Sequence, residues 1–194
     1  MYRLGYNTNG LAHHRLDDAL ALLADTGYEG VALTLDVQHL DPFAATAADV
    51  DAVRRRAEDL GLSLAVETGA RYVLDPKVKH APNLLDEEAA GRERRVDFYA
   101  RAAKTAAGLG AGLISIWAGT PSDGATAESA DGERKEVLWG RLVEGVRQTL
   151  AACADSGVTL CFEPEPGMFI ERPAGFVELL ERLGSDRDGL GMTL

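Results

Sequence analysis

The segment Ala151–Glu163 reads AACADSGVTLCFE and contains the unit from which the whole chain is built. In order, it holds the end of a helical apolar pattern, a glycine, a short apolar run and a carboxylate. Glycine readily adopts the left-handed backbone that commonly closes a helix. A run of about five apolar residues is typical of a strand that is buried on both faces. The segment therefore predicts a helix that ends at Gly157 and a buried strand over residues 158–162.

The same unit recurs along the chain, with apolar runs that predict six strands: Arg3–Tyr6, Val31–Leu35, Leu62–Val66, Leu113–Trp117, Val158–Phe162 and Leu190–Leu194. Five stretches between the runs carry apolar residues at helical spacing, and the third of them contains Val96, Tyr99, Ala103 and Ala107. We expect these helices to end at or near Gly27, Gly61, Gly108 or Gly110, Gly157 and Gly184. Strict alternation of strands and helices predicts a parallel sheet with right-handed crossovers.

A parallel sheet of this kind is either open and doubly wound or closed into a barrel. The first predicted strand leads into Tyr6–Gly10, YNTNG, which lacks the G-x-G-x-x-G pattern of a dinucleotide-binding sheet. The sequence therefore favours an α/β fold of the parallel (β/α)8 TIM-barrel type, which typically needs about 250 residues. With 194 residues, we expect a partial barrel of about six strands and five helices, forming a single domain over residues 1–194. We also expect roughly two strand–helix units to be missing after Leu194.

Composition and charge limit the classes of partner. Hydrophobic residues make up 46% of the chain and charged residues 26%, and no apolar run approaches the length of a membrane span. The N-terminus also lacks the apolar core of a signal peptide, so we predict a cytoplasmic protein without a membrane partner. The net charge of −11 disfavours nucleic acid, because an acidic surface repels phosphates.

Polar residues follow the predicted strands, where the active site of a barrel lies. Glu163 is the first candidate, because a carboxylate directly after a buried strand is costly unless it meets a metal, a cation or several donors. A structural ion pair is the alternative for this residue. Glu165 lies in the stiff turn PEPG and is either directed at a ligand or solvated. Trp117 forms either an apolar wall of the site or part of the core.

The loop after the third predicted strand reverses the local sign of charge. Arg71, Lys79 and His80 lie there in an otherwise acidic chain, which indicates an anionic group on the substrate. The alternative is that these residues pair with acidic neighbours such as Asp86 and Glu87. A second loop, residues 120–132, is rich in Ala, Ser, Gly and Asp and is either a lid over the site or a surface insertion.

The repeated units, the motif L-x-F-E-P that contains Glu163, and the final run GLGMTL at 189–194 together resemble the xylose isomerase-like TIM barrels. This sugar phosphate isomerase/epimerase superfamily also includes endonuclease IV. The resemblance implies a divalent metal, Mn, Mg, Co or Zn, held by carboxylates and a histidine at the ends of the fifth to eighth strands. Glu163 matches the fifth-strand ligand, and it would also assist as the catalytic base. The remaining ligands are expected beyond Leu194, so the resemblance implies that this chain by itself binds little or no metal.

For a complete barrel, the implied activity is the metal-dependent isomerisation or epimerisation of a sugar, sugar phosphate or sugar acid through an enediolate, and this 194-residue chain is expected to be inactive or incomplete by itself. His39 and Glu67, which follow the second and third predicted strands, would then contact sugar hydroxyls. A dehydratase and an endonuclease IV-like hydrolase remain as alternative enzymes. A third alternative is a non-catalytic partial barrel that forms a homo-oligomer through the open edges of its first and sixth strands.

Overall fold

A computed structural model describes residues 3–193 of the chain. Its strands and helices alternate as the sequence predicts, in the order β1 Gly5–Asn7, α1 Leu16–Asp25, β2 Gly30–Thr34, α2 Ala47–Asp59, β3 Ser63–Glu67, α3 Ala89–Leu109, β4 Leu113–Ile116, α4 Gly132–Ser156, β5 Thr159–Phe162, α5 Pro173–Leu183 and β6 Leu190–Met192. Two short 3-10 turns, Thr8–Leu11 and Gly184–Arg187, complete the regular structure. The predicted partial barrel of six strands and five helices is confirmed. The last residue of the sixth predicted run, Leu194, lies outside the described residues.

The six strands form one parallel sheet in the order β1-β2-β3-β4-β5-β6. Each strand pairs with the next in the chain, and the order does not reverse. A doubly wound sheet reverses its order at a switch point, whereas consecutive order is the arrangement of a (β/α) barrel. The carboxyl ends of all six strands therefore lie along one edge of the sheet.

The two faces of the sheet carry different side chains. On one face lie Leu33, Val66, Ile114 and Leu160, which are paired across neighbouring strands and are almost completely buried. Phe162 lies on the same face, with its ring 6.0 Å from that of Phe176 in α5. This face packs against the helices, and it forms most of the apolar core.

Small residues occupy the opposite, inward face of the sheet. Ala32 pairs with Ala65 across β2 and β3, and Cys161 pairs with Gly191 across β5 and β6. A Cβ atom built on Gly191 would come 3.0 Å from Cys161 Sγ, so a larger residue does not fit there without a shift. The inward face thus carries mostly small residues along the strands, and the carboxyl groups of Glu67 and Glu163 lie at the carboxyl ends of β3 and β5.

The buried face of helix α3 differs in part from the predicted apolar face. Tyr99 and Ala103 are buried as expected, but Ala107 is exposed. The buried face instead includes Phe98 and the guanidinium of Arg95, which is fully buried. The helix ends at Gly110, whose φ of 70° is the left-handed conformation expected for a closing glycine.

Candidate functional site

Polar side chains form a row across the carboxyl ends of the strands. Thr34 Oγ1, at the end of β2, lies 2.8 Å from Asn7 Oδ1 and 2.9 Å from Glu67 Oε2. Across the other half of the sheet, Ser115 Oγ lies 2.7 Å from Thr193 Oγ1 and 3.5 Å from Glu163 Oε2. We call these six residues the polar row: Asn7, Thr34, Glu67, Ser115, Glu163 and Thr193. The parallel register brings them together, because it aligns the end of each strand with the end of the next.

The contacts of Thr34 indicate which protonation state Glu67 adopts. The backbone amide of Asn9 donates to Asn7 Oδ1, so the atom that faces Thr34 is an acceptor. A threonine hydroxyl has one hydrogen and cannot donate to both Asn7 Oδ1 and an ionised Glu67. If Glu67 is protonated, its own hydrogen bonds to Thr34 Oγ1, and Thr34 donates to Asn7. The geometry therefore favours the neutral acid.

The electrostatic surroundings of Glu67 act in the same direction. Burial raises the pKa of Glu67 above its ordinary value of 4.5, and the negative charges of Glu163 and Glu165 raise this pKa further. The hydrogen bonds with Thr34 and Gly69 lower the pKa, but their effect is smaller than the combined increase. Burial and the charge of Glu163 also raise the pKa of Glu165, which Lys79 partly opposes. The charges of Glu163 and Glu165 thus act on Glu67 at this edge of the sheet, and a proton is readily held at this buried carboxyl group.

A cavity of about 140 Å³ opens beside the polar row, and we call it the strand-end cavity. Six of the residues predicted from the sequence line it, namely Glu67, Arg71, Lys79, His80, Trp117 and Glu165, together with Asn9, Gly69 and Met168. Glu163 does not line this cavity and lies beside it in the polar row. The loops after β3, β4 and β5 bring these side chains together, although they are separated by as many as 98 residues in sequence.

His39 does not line the strand-end cavity. Asp36 Oδ1 accepts hydrogen bonds from the backbone amides of Gln38 and His39, which turns the chain back after β2. The imidazole is buried, with Nδ1 3.2 Å from Thr8 Oγ1, and it lines a separate groove between α1 and α2. The structure therefore separates His39 from the other predicted substrate contacts.

The three predicted cations differ in what they offer an anion. Arg71 Nη2 lies 2.6 Å from Oδ2 of the buried Asp36, so its charge is already paired. His80 Nδ1 lies 2.6 Å from the carbonyl of Gly69, and burial lowers the pKa of His80, which favours its neutral form. Lys79 is exposed at the cavity. The expected anion-binding role therefore depends mainly on Lys79.

Arg95, a buried residue of α3, holds two loops of the site in place. The sequence did not predict this role. Arg95 Nε donates to the carbonyl of Pro82 at 2.7 Å and its Nη2 to the carbonyl of His80 at 2.6 Å. The guanidinium also lies 5.1 Å from the ring centre of Trp117, and that ring meets the His80 ring edge-on at 5.3 Å. Arg95 thus ties the loop after β3 to the end of β4. Its spacing from Phe98 and Tyr99, one helical turn away, was the signal in the sequence.

The loop of residues 120–132 is joined to the loop after β5. Thr120 Oγ1 donates to the carbonyl of Gly167 at 2.8 Å, and the Ala127 amide donates to the carbonyl of Phe169 at 2.7 Å. The Phe169 amide in turn donates to the carbonyl of Gly119 at 2.9 Å. In this arrangement the loop lies against the loop after β5, which supplies Glu165 and Met168 to the strand-end cavity.

The described residues do not form a complete metal site. Within residues 3–193, no group of three or more His, Cys, Asp or Glu side chains is placed to hold a metal ion. Glu163 remains the one ligand that the resemblance assigns, and a single carboxylate does not hold a divalent cation tightly. Nor is any helix in the described part of the chain long and apolar enough to cross a membrane.

Consecutive parallel strands, outer helices and a polar site at the carboxyl ends of the strands define a TIM-barrel class of protein. The chain matches the xylose isomerase-like TIM barrel family over residues 20–194, and it belongs to that family. The predicted resemblance is therefore confirmed. No curated protein matches the chain by sequence.

Solved structures of sugar epimerases share the fold. A D-psicose 3-epimerase crystallised with D-fructose superposes with a TM-score of 0.72 at 18% identity, covering 98% of this chain and 62% of that one. An L-ribulose 3-epimerase has a TM-score of 0.72 at 20% identity, with 99% and 60% covered. The probable 3-DHS dehydratase AsbF from Bacillus anthracis has a TM-score of 0.72 at 14% identity, with 100% and 62% covered. This chain thus spans about three fifths of the length of these structures, and the likeness shows the fold.

Proposed function

We propose that this chain contributes the substrate-binding edge of an enzyme that isomerises or epimerises a sugar, sugar phosphate or sugar acid through an enediolate. The observation that carries the proposal is the polar row, in which the contacts of Thr34 favour a protonated Glu67 close enough to Glu163 for the two carboxyl groups to interact. A neutral Glu67 is suited to donate a hydrogen bond to the substrate, and Glu163 beside it is suited to the role of base. Family membership supports sugar chemistry of this kind.

The proposed chemistry follows from the weak acidity of a proton beside a carbonyl group. Glu163 accepts that proton as the general base. When the sugar is bound, the hydrogen of neutral Glu67 moves from Thr34 Oγ1 to the sugar oxygen on which negative charge develops, and this hydrogen bond stabilises the enediolate. Return of the proton to the neighbouring carbon gives an isomerisation, whereas return to the opposite face gives an epimerisation. Trp117 and Met168 contact the carbon face of the sugar and limit the access of water.

A divalent cation would supply a Lewis acid for the enediolate oxygens. Because the described residues do not form its site, we derive no step through it, and metal dependence stays a prediction. The phosphate or carboxylate of an anionic substrate would contact Lys79. A dehydratase that uses the same intermediate remains the nearest alternative reaction, and product analysis distinguishes it by the loss of water.

The test is exchange of the substrate proton with solvent. The full chain is incubated in D2O with D-fructose, D-fructose 6-phosphate and D-glucuronate, each with and without Mn²⁺, and proton NMR follows deuterium at the carbon beside the carbonyl. We expect exchange with at least one substrate class, and a loss of about 100-fold or more in Glu163→Gln, since a positioned base typically contributes about 10²–10⁴ in rate.

The matched control is Glu181→Gln, an exposed carboxylate on α5 far from the strand ends. This variant should exchange at the wild-type rate. Unchanged exchange in Glu163→Gln would remove Glu163 as the base. Absence of exchange with every substrate, with and without metal, would count against an enediolate reaction in this chain.

Self-association without catalysis is a second candidate, favoured by the apolar side chains at the two edge strands. Tyr6 in β1 and Met192 in β6 are each 40% exposed, and Leu4 beside β1 is 66% exposed. Exposed strand edges with apolar side chains favour pairing with another chain. The homo-oligomer stays a prediction that sedimentation velocity tests, and a concentration-independent monomer would contradict it.

Three further expectations from the sequence stay predictions. They are the single domain over residues 1–194, the cytoplasmic location and the absence of a nucleic-acid partner. The net charge of −11 continues to support the last of these.

A further inference from the structure

A second, larger cavity adjoins the strand-end cavity, and we call it the outer cavity. Its volume is about 540 Å³. The two cavities share four lining residues, namely Lys79, His80, Trp117 and Met168. A ligand at the polar row therefore lies next to an open space of several times the volume of the strand-end cavity.

The sizes of the two cavities indicate a ligand that is longer than one small sugar. Cavities that bind a whole organic ligand usually measure about 300–1,000 Å³. The strand-end cavity, at about 140 Å³, is below that range but carries Glu67 and Glu165. The outer cavity is within the range but lacks both residues. A ligand that occupies both cavities contacts Glu67 and Glu165 in the strand-end cavity and also fills the larger volume of the outer cavity.

The lining of the outer cavity suits a neutral sugar ring. Val78, Pro121 and Met168 offer apolar contacts, and the hydrogen-bonding side chains are Asn83, Asp86, Glu87, Thr120 and Ser122. Sugar rings have apolar carbon faces and hydroxyl groups at their edges, so they match a mixed wall of this kind. Asp86 and Glu87 balance the charges of Lys79 and of Arg134, whose Nη2 lies 3.9 Å from Glu87 Oε1, so the cavity offers a phosphate or a carboxylate no net attraction.

Contacts between loops hold the walls of the outer cavity in place. Asn83 Nδ2 donates to the carbonyl of Thr120 at 2.9 Å, and Ser122 Oγ donates to Glu87 Oε1 at 2.8 Å. Gly119 has a φ of 87°, and a Cβ atom at this position would clash with the side chain of Asn83. The loops after β3 and β4 are therefore in close contact at Gly119, where there is no room for a side chain. The positive φ of Gly119 also favours glycine at this position. The cavity is formed before any ligand binds.

We propose that the two cavities are subsites for one neutral, extended carbohydrate. The sugar that undergoes proton transfer lies in the strand-end cavity, and a second, glycosidically linked ring fills the outer cavity. The substrate class is then a disaccharide or glycoside. This inference rests on the proposed function, because it assigns the reacting sugar to the strand-end cavity.

Isothermal titration calorimetry of the full chain tests the inference with matched ligands. The probes are D-fructose, D-fructose 6-phosphate, and three disaccharides that carry a second ring on fructose at different oxygens: turanose, lactulose and isomaltulose. We expect at least one disaccharide to bind tenfold or more tightly than D-fructose. D-fructose 6-phosphate should show no such gain. Trp117 lines both cavities, so its fluorescence provides a second readout.

A pair of variants locates the gain in affinity. Ser122→Phe fills part of the outer cavity and should lower the affinity for the best disaccharide at least tenfold, while the affinity for D-fructose changes less than twofold. Ser185→Phe makes the same change at an exposed serine away from both cavities, and it should have no effect on either ligand.

The possible failures are distinguishable. If D-fructose binds and no disaccharide binds more tightly, the extended-substrate inference is overturned and the proposed function stands. A gain for D-fructose 6-phosphate alone would make the outer cavity an anion site and would also overturn the inference. If none of the sugars binds, the proposed function fails, and the inference fails with it.

Discussion

On its helix-facing side, the sheet presents Leu33, Val66 and Leu160, whereas on its inward side the next residues along these strands include Thr34, Glu67 and Cys161. The two sets differ by a single position along each strand, because successive side chains of a strand point to opposite faces. One set supplies apolar burial and the other supplies small residues and the polar row. The comparison teaches that β2 and β3 each contribute to stability with one residue, Leu33 or Val66, and to the polar row with the next, Thr34 or Glu67.

The largest expected effect is in β5, where Phe162 on the helix-facing side is adjacent to Cys161 on the inward side. Phe162→Ala removes a fully buried ring and should lower the free energy of unfolding by about 3–5 kcal/mol. Cys161→Ala, on the inward face, removes one heavy atom and should cost about 1 kcal/mol. Urea denaturation followed by circular dichroism measures both changes. Equal losses would break the proposed division between the two faces.

Arg95 tests whether the site depends on a buried charge beneath it. Arg95→Met keeps a long side chain but leaves the carbonyls of Pro82 and His80 without their donor. An unsatisfied buried polar group costs about 1–3 kcal/mol, so the free energy of unfolding should fall by at least that amount. The emission of Trp117 should also shift, because the guanidinium no longer lies over its ring.

The control for Arg95 lies on the same helix. Arg101 is exposed and pairs with Asp97 at 2.9 Å, so Arg101→Met should change the free energy of unfolding by less than about 1 kcal/mol. A gain in stability from Arg95→Met would show that burial of the guanidinium costs more than its hydrogen bonds contribute.

The contribution of Glu67 to stability should depend on pH, being present in acid and lost as the pH rises. Folding raises the pKa of Glu67, mainly by burial, so the unfolded chain binds fewer protons at this residue than the folded protein does. The contribution of Glu67 is fully present below its ordinary pKa of 4.5. It is lost as the pH rises through the folded pKa, because the buried group must then ionise.

Glu67→Gln removes this dependence on pH. Relative to the variant, the wild-type protein should therefore lose free energy of unfolding between pH 4 and pH 7.5, as measured by urea denaturation at each pH. The difference between wild type and Glu181→Gln should stay constant over the same range. A wild-type protein that gains stability over Glu67→Gln as the pH rises would contradict a raised pKa.

The fold was predictable because local patterns specify it. Apolar runs such as Val158–Phe162 and closing glycines such as Gly110 and Gly157 act within a few residues of the chain. Strand ends then follow from strand positions, so Glu67, Trp117 and Glu163 could be assigned to one edge of the sheet before their contacts were known.

Features that depend on distant contacts could not be predicted. The spacing of Arg95 from Phe98 and Tyr99 indicates the buried face of α3, but no local pattern indicates that its guanidinium would meet carbonyl groups 13 and 15 residues away. His39 is turned aside by hydrogen bonds to Asp36, whose other oxygen is held by Arg71. The outer cavity exists only where the loops after β3 and β4 meet, as at Gly119 and Asn83.

The parallel register that aligns the polar row also determines where the chain tolerates changes in length. An inserted or deleted residue within β3 would shift Glu67 by one position and turn its carboxyl group toward the helices. The same change in the loops after β3 or β4 would alter the walls of the two cavities but would leave Glu67 in its register. In this chain, the loops thus tolerate changes in length that the strands holding Glu67 and Glu163 do not.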